Sequence, residues 1–576
     1  MLCVAILMLA LCPVACTRHS LVTYDLVTER LGTIPHHDET VCSGDGRHVA
    51  FRAERMVCVD GRNGPTYDEI RKRSLRVNAD GSHVAYTARQ SGKWVVVTDG
   101  QEGREYDAIG EGSPMLCPKG NRIAYTATKD GKWFAVIDGK EGPPYDHIGN
   151  EDRPGNEFVF SSDGKHIAYA ARKGSEWLMV LDGEEGPRYG DLRKDTPVFS
   201  PDGTRFAYTA KRADKWRLVV DGQEGPAYQS VWDPVFSADW KHVAYTAERD
   251  NRAFVVRDGV EEPAAAYLYH SHFNKPVLSP DGNRLAYAIR TETGIAVVVD
   301  GKAGPWYDDV CQLRFSPDSQ HIAYIGVMGR QPADRNYILV VDAEGGPRYE
   351  DMDWSMPMVF SPEGSRVACR AKKSGKWLVL VNGQEGPLYD EIRFEHPVFS
   401  PDGKRLAYAA RNGKEWFMVV DGQEGPPYDE IGYDMPVFSP DGKHVAYGAL
   451  KRLGSSDWAG VVVIDGQEGP EYHFFDLTPV FSADSRHLMY YAHRDSRLFE
   501  WDAGTFTRQV VVIDGQEGPG HGYIYGPAHP VQDGGVYEYL AEDTDILQRS
   551  ILYRVRLVPK KTHDGHVLTG IWLSEE

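Results

Sequence analysis

The chain has 576 residues, 41% hydrophobic and 11% aromatic, which is too long for one ordinary domain and too apolar for a disordered one. Its 59 Gly and 35 Pro call for many tight turns and suit an all-β protein better than a helical one. A formal net charge of −20 opposes a phosphate backbone, so no nucleic-acid partner is expected.

Residues 1–16 are uncharged and mostly apolar. The run is too short to span a bilayer and reads as a signal peptide. Val14-Ala15-Cys16 resembles the end of a bacterial lipobox and makes Cys16 the expected lipidation site, although Pro13 stands where Leu is usual and no Lys or Arg precedes the apolar run. The expected location is the periplasm or outer cell envelope, as a lipoprotein whose only membrane contact is its anchor. Simple cleavage and secretion is the alternative. Ser20 to Ile34 follows, reading as the third and fourth strands of a partial blade.

A repeat then dominates the chain. Its clearest copy runs Pro397-Val-Phe-Ser-Pro-Asp-Gly-Lys-Arg-Leu-Ala-Tyr408, then Trp416-Phe-Met-Val-Val-Asp-Gly-Gln-Glu-Gly-Pro-Pro-Tyr-Asp-Glu-Ile431. An Asp, or once an Asn, closes the third β-prone run at Asp60, Asp99, Asp138, Asp182, Asp221, Asp258, Asp300, Asp342, Asn382, Asp421, Asp465 and Asp514. The period of roughly 40 residues predicts four-stranded propeller blades. The predicted strands are A (Val-Phe-Ser), B (Arg-Leu-Ala-Tyr-Ala), C (Trp-Phe-Met-Val-Val) and D (Pro-Tyr-Asp-Glu-Ile). Ser-Pro-Asp-Gly closes A to B, and Asp-Gly-Gln-Glu-Gly-Pro closes C to D. Strand B opens with His at 48, 83, 166, 242, 321, 444 and 487 and with Arg at 122, 205, 284, 366 and 405. That position lies opposite the recurrent Asp, so a cross-strand acid–base pair is expected in nearly every blade, with a ring of pH sensors as the sharper reading. Trp94, Trp133, Trp177, Trp216, Trp377 and Trp416 open strand C and are expected to pack between blades.

The repeat is most eroded at Glu261 to Phe273, near the midpoint. Twelve blades exceed the usual four to eight of one ring, so the expected fold is all-β, with two tandem propellers of six or seven blades. The first spans residues 17–275 and the second 276–576. Val536–Glu542 and Ile551–Val558 read as strands B and C of a last partial blade, which the N-terminal strands would complete and so close a ring. Cys42, Cys58, Cys117, Cys311 and Cys369 are an odd, scattered set. Cys42 and Cys58 fall on strands one and three of one blade, too far apart to bond.

Ser-Pro-Asp-Gly followed by Ile/Val/Leu-Ala-Tyr resembles the WD-like repeats of TolB-type propellers over residues of about 41 to 530. The resemblance implies the fold and several kinds of role: binding platform, substrate-gating domain of a serine peptidase, or polysaccharide lyase. Gly-x-Ser-x-Gly, His-Glu-x-x-His, Cys-x-x-Cys, a Walker loop and Gly-x-Gly-x-x-Gly do not occur in the sequence, so no enzyme, cofactor or metal centre is expected. The closest histidine pairs, His270 with His272 and His563 with His566, read as ordinary surface residues. Near-identical turns cannot specify an asymmetric partner. Three enlarged B to C loops can: Gly326 to Asn336, Leu453 to Gly460 and Ser496 to Arg508. They carry the candidate binding residues Arg330, Arg335, Trp458, Trp501 and Phe506. The expected function is a non-catalytic, extracytoplasmic binding or scaffold protein for a protein or glycan partner. The alternatives are a carbohydrate-active propeller enzyme and a purely structural envelope protein.

Overall fold

The computed structural model describes residues 24–559, apart from 35–36, 118, 120, 150–157, 194–196, 251, 263–274, 330, 332–333, 353–357, 394–396, 433–434, 455–457, 473–478, 494–508, 533–535 and 545–549. They form thirteen antiparallel sheets, each a four-stranded blade in the order A-B-C-D. Twelve are the repeats. The thirteenth takes strand A from Tyr523–Gln532, B from Val536–Thr544 and C from Ser550–Pro559, while the N-terminal strand Tyr24–Ile34 serves as its D. The expected joining of the termini is therefore present, with Tyr24 opposite Pro559 and Ile34 opposite Ser550. The N-terminal segment supplies one long strand to it, not the two that were expected.

Blade boundaries fall elsewhere than the sequence suggested. Strand D ends at the Tyr of Gly-Pro-x-Tyr, and the Glu-Ile that follows belongs to strand A of the next blade. In blade 10, Glu391–Ile392 and Val398–Phe399 both pair with strand B, Leu406–Asn412. Strand A is thus split by a short insert in most blades and continuous through a bulge in blades 6 and 8. The Asp between Tyr and Glu explains the placement. Asp390 accepts the backbone N–H of Gly413, in the B to C hairpin of the blade it enters, at 2.7 Å. Asp146 holds Gly174 in the same way at 2.7 Å, and Asp429 holds Arg452 at 2.8 Å. This residue is a hairpin cap, and the cap lies on the new blade.

The core lies between blades. Strand B alternates with period two: Leu406, Tyr408 and Ala410 face blade 9, while Ala407 and Ala409 face blade 11. Such a cluster joins each blade to the next. Blades 6 and 7 meet through Ala244 and Val255 against Leu278, Leu285, Tyr287, Ile289, Ala296 and Val298. Blade 13 meets blade 1 through Tyr525, Leu540 and Leu552 against Val49, Phe51 and Cys58. The described blades therefore follow one another in a single cyclic succession of thirteen, where two rings of six or seven were expected. Most of the eroded stretch, residues 263–273, lies outside the described residues, and the blades on either side of it pack against each other. Cys42, Cys58, Cys117, Cys311 and Cys369 are all free, and burial pushes the Cys311 and Cys369 thiols up to about 12, which keeps them unreactive.

Candidate binding face

The A to B and C to D turns share one side of the array, here the turn face. The B to C hairpins and D to A crossings share the other, the loop face. On the turn face the recurrent chemistry is spent on the scaffold. The C-terminal Asp of strand C sits at φ near 50°, as in Asp421 at 54°, a left-handed position that Asp and Asn tolerate best after Gly. One carboxylate oxygen accepts the backbone N–H that opens strand B, at 2.9 Å for Leu406. The other meets the expected base: His48–Asp60 at 2.7 Å, Arg205–Asp221 at 2.8 Å, His444–Asp465 at 2.7 Å. The expected pair forms in eleven of the twelve repeats. In blade 9, Asn382 keeps the backbone contact, to Val367 at 2.7 Å, without a charge.

The two bases differ in reach. Each Arg continues to a main-chain carbonyl in the following blade, as Arg122 does to Lys165 (2.7 Å), Arg284 to Gln320 (2.6 Å) and Arg366 to Lys404 (2.7 Å). His stops short, and its ring rests on the following turn. A β-carbon on Gly81 would fall 2.2 Å from the His48 ring, and one on Gly282 2.4 Å from that of His242; both glycines have φ of +70°. In nine of the twelve A to B turns of the repeats the Ser hydroxyl donates to the Asp two residues on, at 2.5 Å in Ser279–Asp281. Those bonds hold the Asp281 and Asp441 carboxyls down to about 2.

The strand D Tyr is a second recurrent element, missed in the sequence because its partner lies one blade away. Tyr145 packs edge to face on Tyr169 with ring centroids 6.3 Å apart, and its hydroxyl donates to Glu185 at 3.0 Å. Tyr106 repeats the arrangement with Tyr125 and Glu141, and Tyr189 with Tyr208 and Glu224. Burial pushes Tyr125 and Tyr169 up to about 12. The Glu of Gly-x-Glu-Gly thus points into the seam between blades, and Lys173 and Lys373 pair with Glu185 and Glu385 at 2.5 and 2.7 Å. The strand C Trp residues lie in the same seams, as expected. Trp416 is buried among blades 10 and 11 with the Arg393 guanidinium 4.8 Å above its ring, and Arg71 covers Trp94 at 4.4 Å.

The loop face is where the repeats differ. Of the candidate residues, Arg335 is exposed just before strand C of blade 8, Asn336–Val341. Trp458 opens strand C of blade 11, Trp458–Ile464, half-buried, with the Arg452 guanidinium 5.4 Å from its ring. The blade 11 loop is thereby shorter than the sequence suggested, because its strands pair out to Arg452 and Trp458. Leu453 beside them is 58% exposed. Arg330, Trp501 and Phe506 lie outside the described residues, as do Cys16, His270, His272, His563 and His566. Among the described residues no three His, Cys, Asp or Glu side chains gather as a metal ion would require, and no helix is long and apolar enough to cross a membrane.

No protein-family model matches the chain, and no curated protein does. Among solved structures it is similar to a eukaryotic initiation factor, at 11% identity and a TM-score of 0.31, over 69% of this chain and 99% of that one. TolB from Acinetobacter baumannii is similar at 12% identity and 0.23, over 52% and 79%. The β-propeller domain of the Trilobed protease from Pyrococcus furiosus is similar at 13% and 0.23, over 47% and 96%. Likenesses at this level say nothing of what the chain does.

Proposed function

We infer that this protein is a non-catalytic binding or scaffold propeller of the cell envelope, which recognises a protein or glycan partner through the loop face of blades 8, 11 and 12. The observation that carries this reading is the division of labour between the two faces. On the turn face, the repeated carboxylates, imidazoles and guanidinium groups are paired with one another or with main chain. On the loop face, an exposed Arg335 and a half-buried Trp458 with its Arg452 stand where the repeat departs from itself. Arg and Trp are the residue types that most often anchor an interface, and enlarged loops on a rigid scaffold are the usual place for them. Export through the leader would put that face in contact with envelope components.

The test is affinity capture from native envelope with the exported chain as bait, followed by substitution. Arg335→Ala and a triple change of Trp458, Trp501 and Phe506 to Ala should each leave the fold intact. They should weaken capture of the partner at least about tenfold, the scale of one lost hot spot. Undiminished affinity in the folded variants would remove the loop face from the binding site.

A further inference from the structure

The direction of the N-terminal strand sets which face of the array a membrane anchor would hold toward the lipid. Tyr24–Ile34 is strand D of blade 13 and runs antiparallel to strand C, Ser550–Pro559. Ser550 follows the B to C connection, and Thr544 pairs with it across that hairpin, so the Ser550 end lies on the loop face. Ile34 pairs with Ser550 and leaves from that face toward strand A of blade 1, Glu39–Cys42. Tyr24 pairs with Pro559 at the opposite end, next to the A to B turn marked by Gln532 opposite Val536. The chain therefore enters blade 13 from the turn face.

The geometry points to a preferred orientation: a chain acylated at Cys16 presents its turn face to the bilayer and its loop face, with Arg335 and Trp458, to the aqueous side. This rests on the envelope-lipoprotein reading above. Residues 17–23 separate Cys16 from Tyr24, and the eight Cα–Cα steps between them span at most roughly 27 Å. The blade itself is about as tall, since strands of seven residues, such as Leu406–Asn412, rise about 23 Å. The reversed array, with the strand D entry point lifted by the height of the blade, would therefore need the tether pulled out straight, which costs the chain its conformational freedom. The tether also joins the outermost strand of its blade, so blades 13 and 1 are held nearest the anchor. A soluble partner would then meet the loop face without passing between the array and the lipid.

Blade 1 offers two exposed positions at the same distance around the ring from the anchor: Arg62, at the C to D turn, and Glu54, in the B to C hairpin. The measurement uses the full acylated chain in phosphatidylcholine vesicles carrying an acceptor dye on the lipid headgroups. A donor dye sits at Arg62→Cys or Glu54→Cys, with the partly exposed Cys42 and Cys311 changed to Ser. Energy transfer from position 62 should exceed that from position 54 at least about twofold, given a separation of about a strand length. Equal or reversed transfer in vesicle-bound protein would overturn the orientation while leaving the anchor standing. Cys16→Ser should abolish vesicle binding and transfer at both positions. Wild-type binding of that variant would overturn the anchor, and the orientation with it.

Discussion

Changing Asp421 to Asn and to Ala separates the two roles of the residue that ends strand C. Asp421 accepts the Leu406 N–H at 2.9 Å and the Arg405 Nε–H at 3.1 Å, from a backbone with φ of 54°. The Arg405 and Asp421 side chains are 30% and 44% exposed, so their ion pair contributes at most about 0.5 kcal/mol. Asn keeps the amide contact and tolerates the left-handed backbone, as Asn382 already does in blade 9 with φ of 49°. Asp421→Asn should therefore cost about 0.5 kcal/mol. Ala loses the acceptor, about 1 kcal/mol for a half-buried hydrogen bond, and adds about 1 to 2 kcal/mol of left-handed backbone strain, for a total of about 2 to 3 kcal/mol. A ring of repeats opens locally before it unfolds globally, so the assay is hydrogen exchange at the Leu406 amide. Protection should fall about twofold in the Asn variant and roughly 30- to 150-fold in the Ala variant. Equal losses in the two variants, or none in Ala, would refute a role shared between backbone contact and charge.

His487 and Asp514 form the most deeply buried of the acid–base pairs, their side chains 6% and 1% exposed. Burial disfavours the charged ring, but the hydrogen bond and charge of Asp514 outweigh it and the His487 pKa stands above its ordinary 6.5. The pair's stabilisation is fully present below pH of about 6.5 and is lost as pH rises through the raised value. The melting-temperature gap between wild type and His487→Gln should therefore narrow from pH 6 to pH 9, and a pH-independent gap would contradict it. Tyr145→Phe should cost about 1 kcal/mol for the Glu185 hydrogen bond and Tyr145→Ala about 3 to 5 kcal/mol for the emptied seam, read by urea titration; a loss below about 1 kcal/mol in the Ala variant would show that the seam closes over the gap. Deleting residues 24–34 should expose the edge of Ser550–Pro559 and give oligomers by size-exclusion chromatography, which a synthetic peptide of those residues reverses. A monomer of unchanged melting temperature would contradict ring closure.

Local turn chemistry was the most legible layer of the sequence. Ser-Pro-Asp-Gly and the Asp closing strand C each act within one blade, so their spacing marked twelve repeats and the Asp-to-His or Asp-to-Arg pairing could be foreseen. What acts between blades was not legible. The Tyr145–Tyr169 contact joins two blades, and nothing in a single copy of Tyr-Asp-Glu-Ile shows that a blade ends after Tyr and that the Asp caps a hairpin of the next one, as Asp390 does for Gly413. Ring size was misjudged for a related reason: usual blade numbers stood in for the contacts between blades 6 and 7 and between 13 and 1, which a repeat pattern does not contain. The binding residues were chosen by departure from the repeat, and of these Arg335 and Trp458 fall on described strand ends of one face.

The arginine links have a further consequence. Arg122, Arg284 and Arg366 grip main-chain carbonyls of the neighbouring blade, so this contact, unlike the side-chain packing of the seam, does not depend on which side chains that neighbour carries. Each of the five Arg-bearing blades brings an outgoing connector that asks only for a peptide backbone in the right place, whereas His48 and His242 need the glycine of the turn they rest on. A gene segment encoding one such unit, copied in frame, would carry this half of its joint with it, and only the packing side chains of the seam would remain to be matched. Growth by single units of this kind requires no doubling of a smaller ring, and an odd total such as the thirteen described blades is compatible with it.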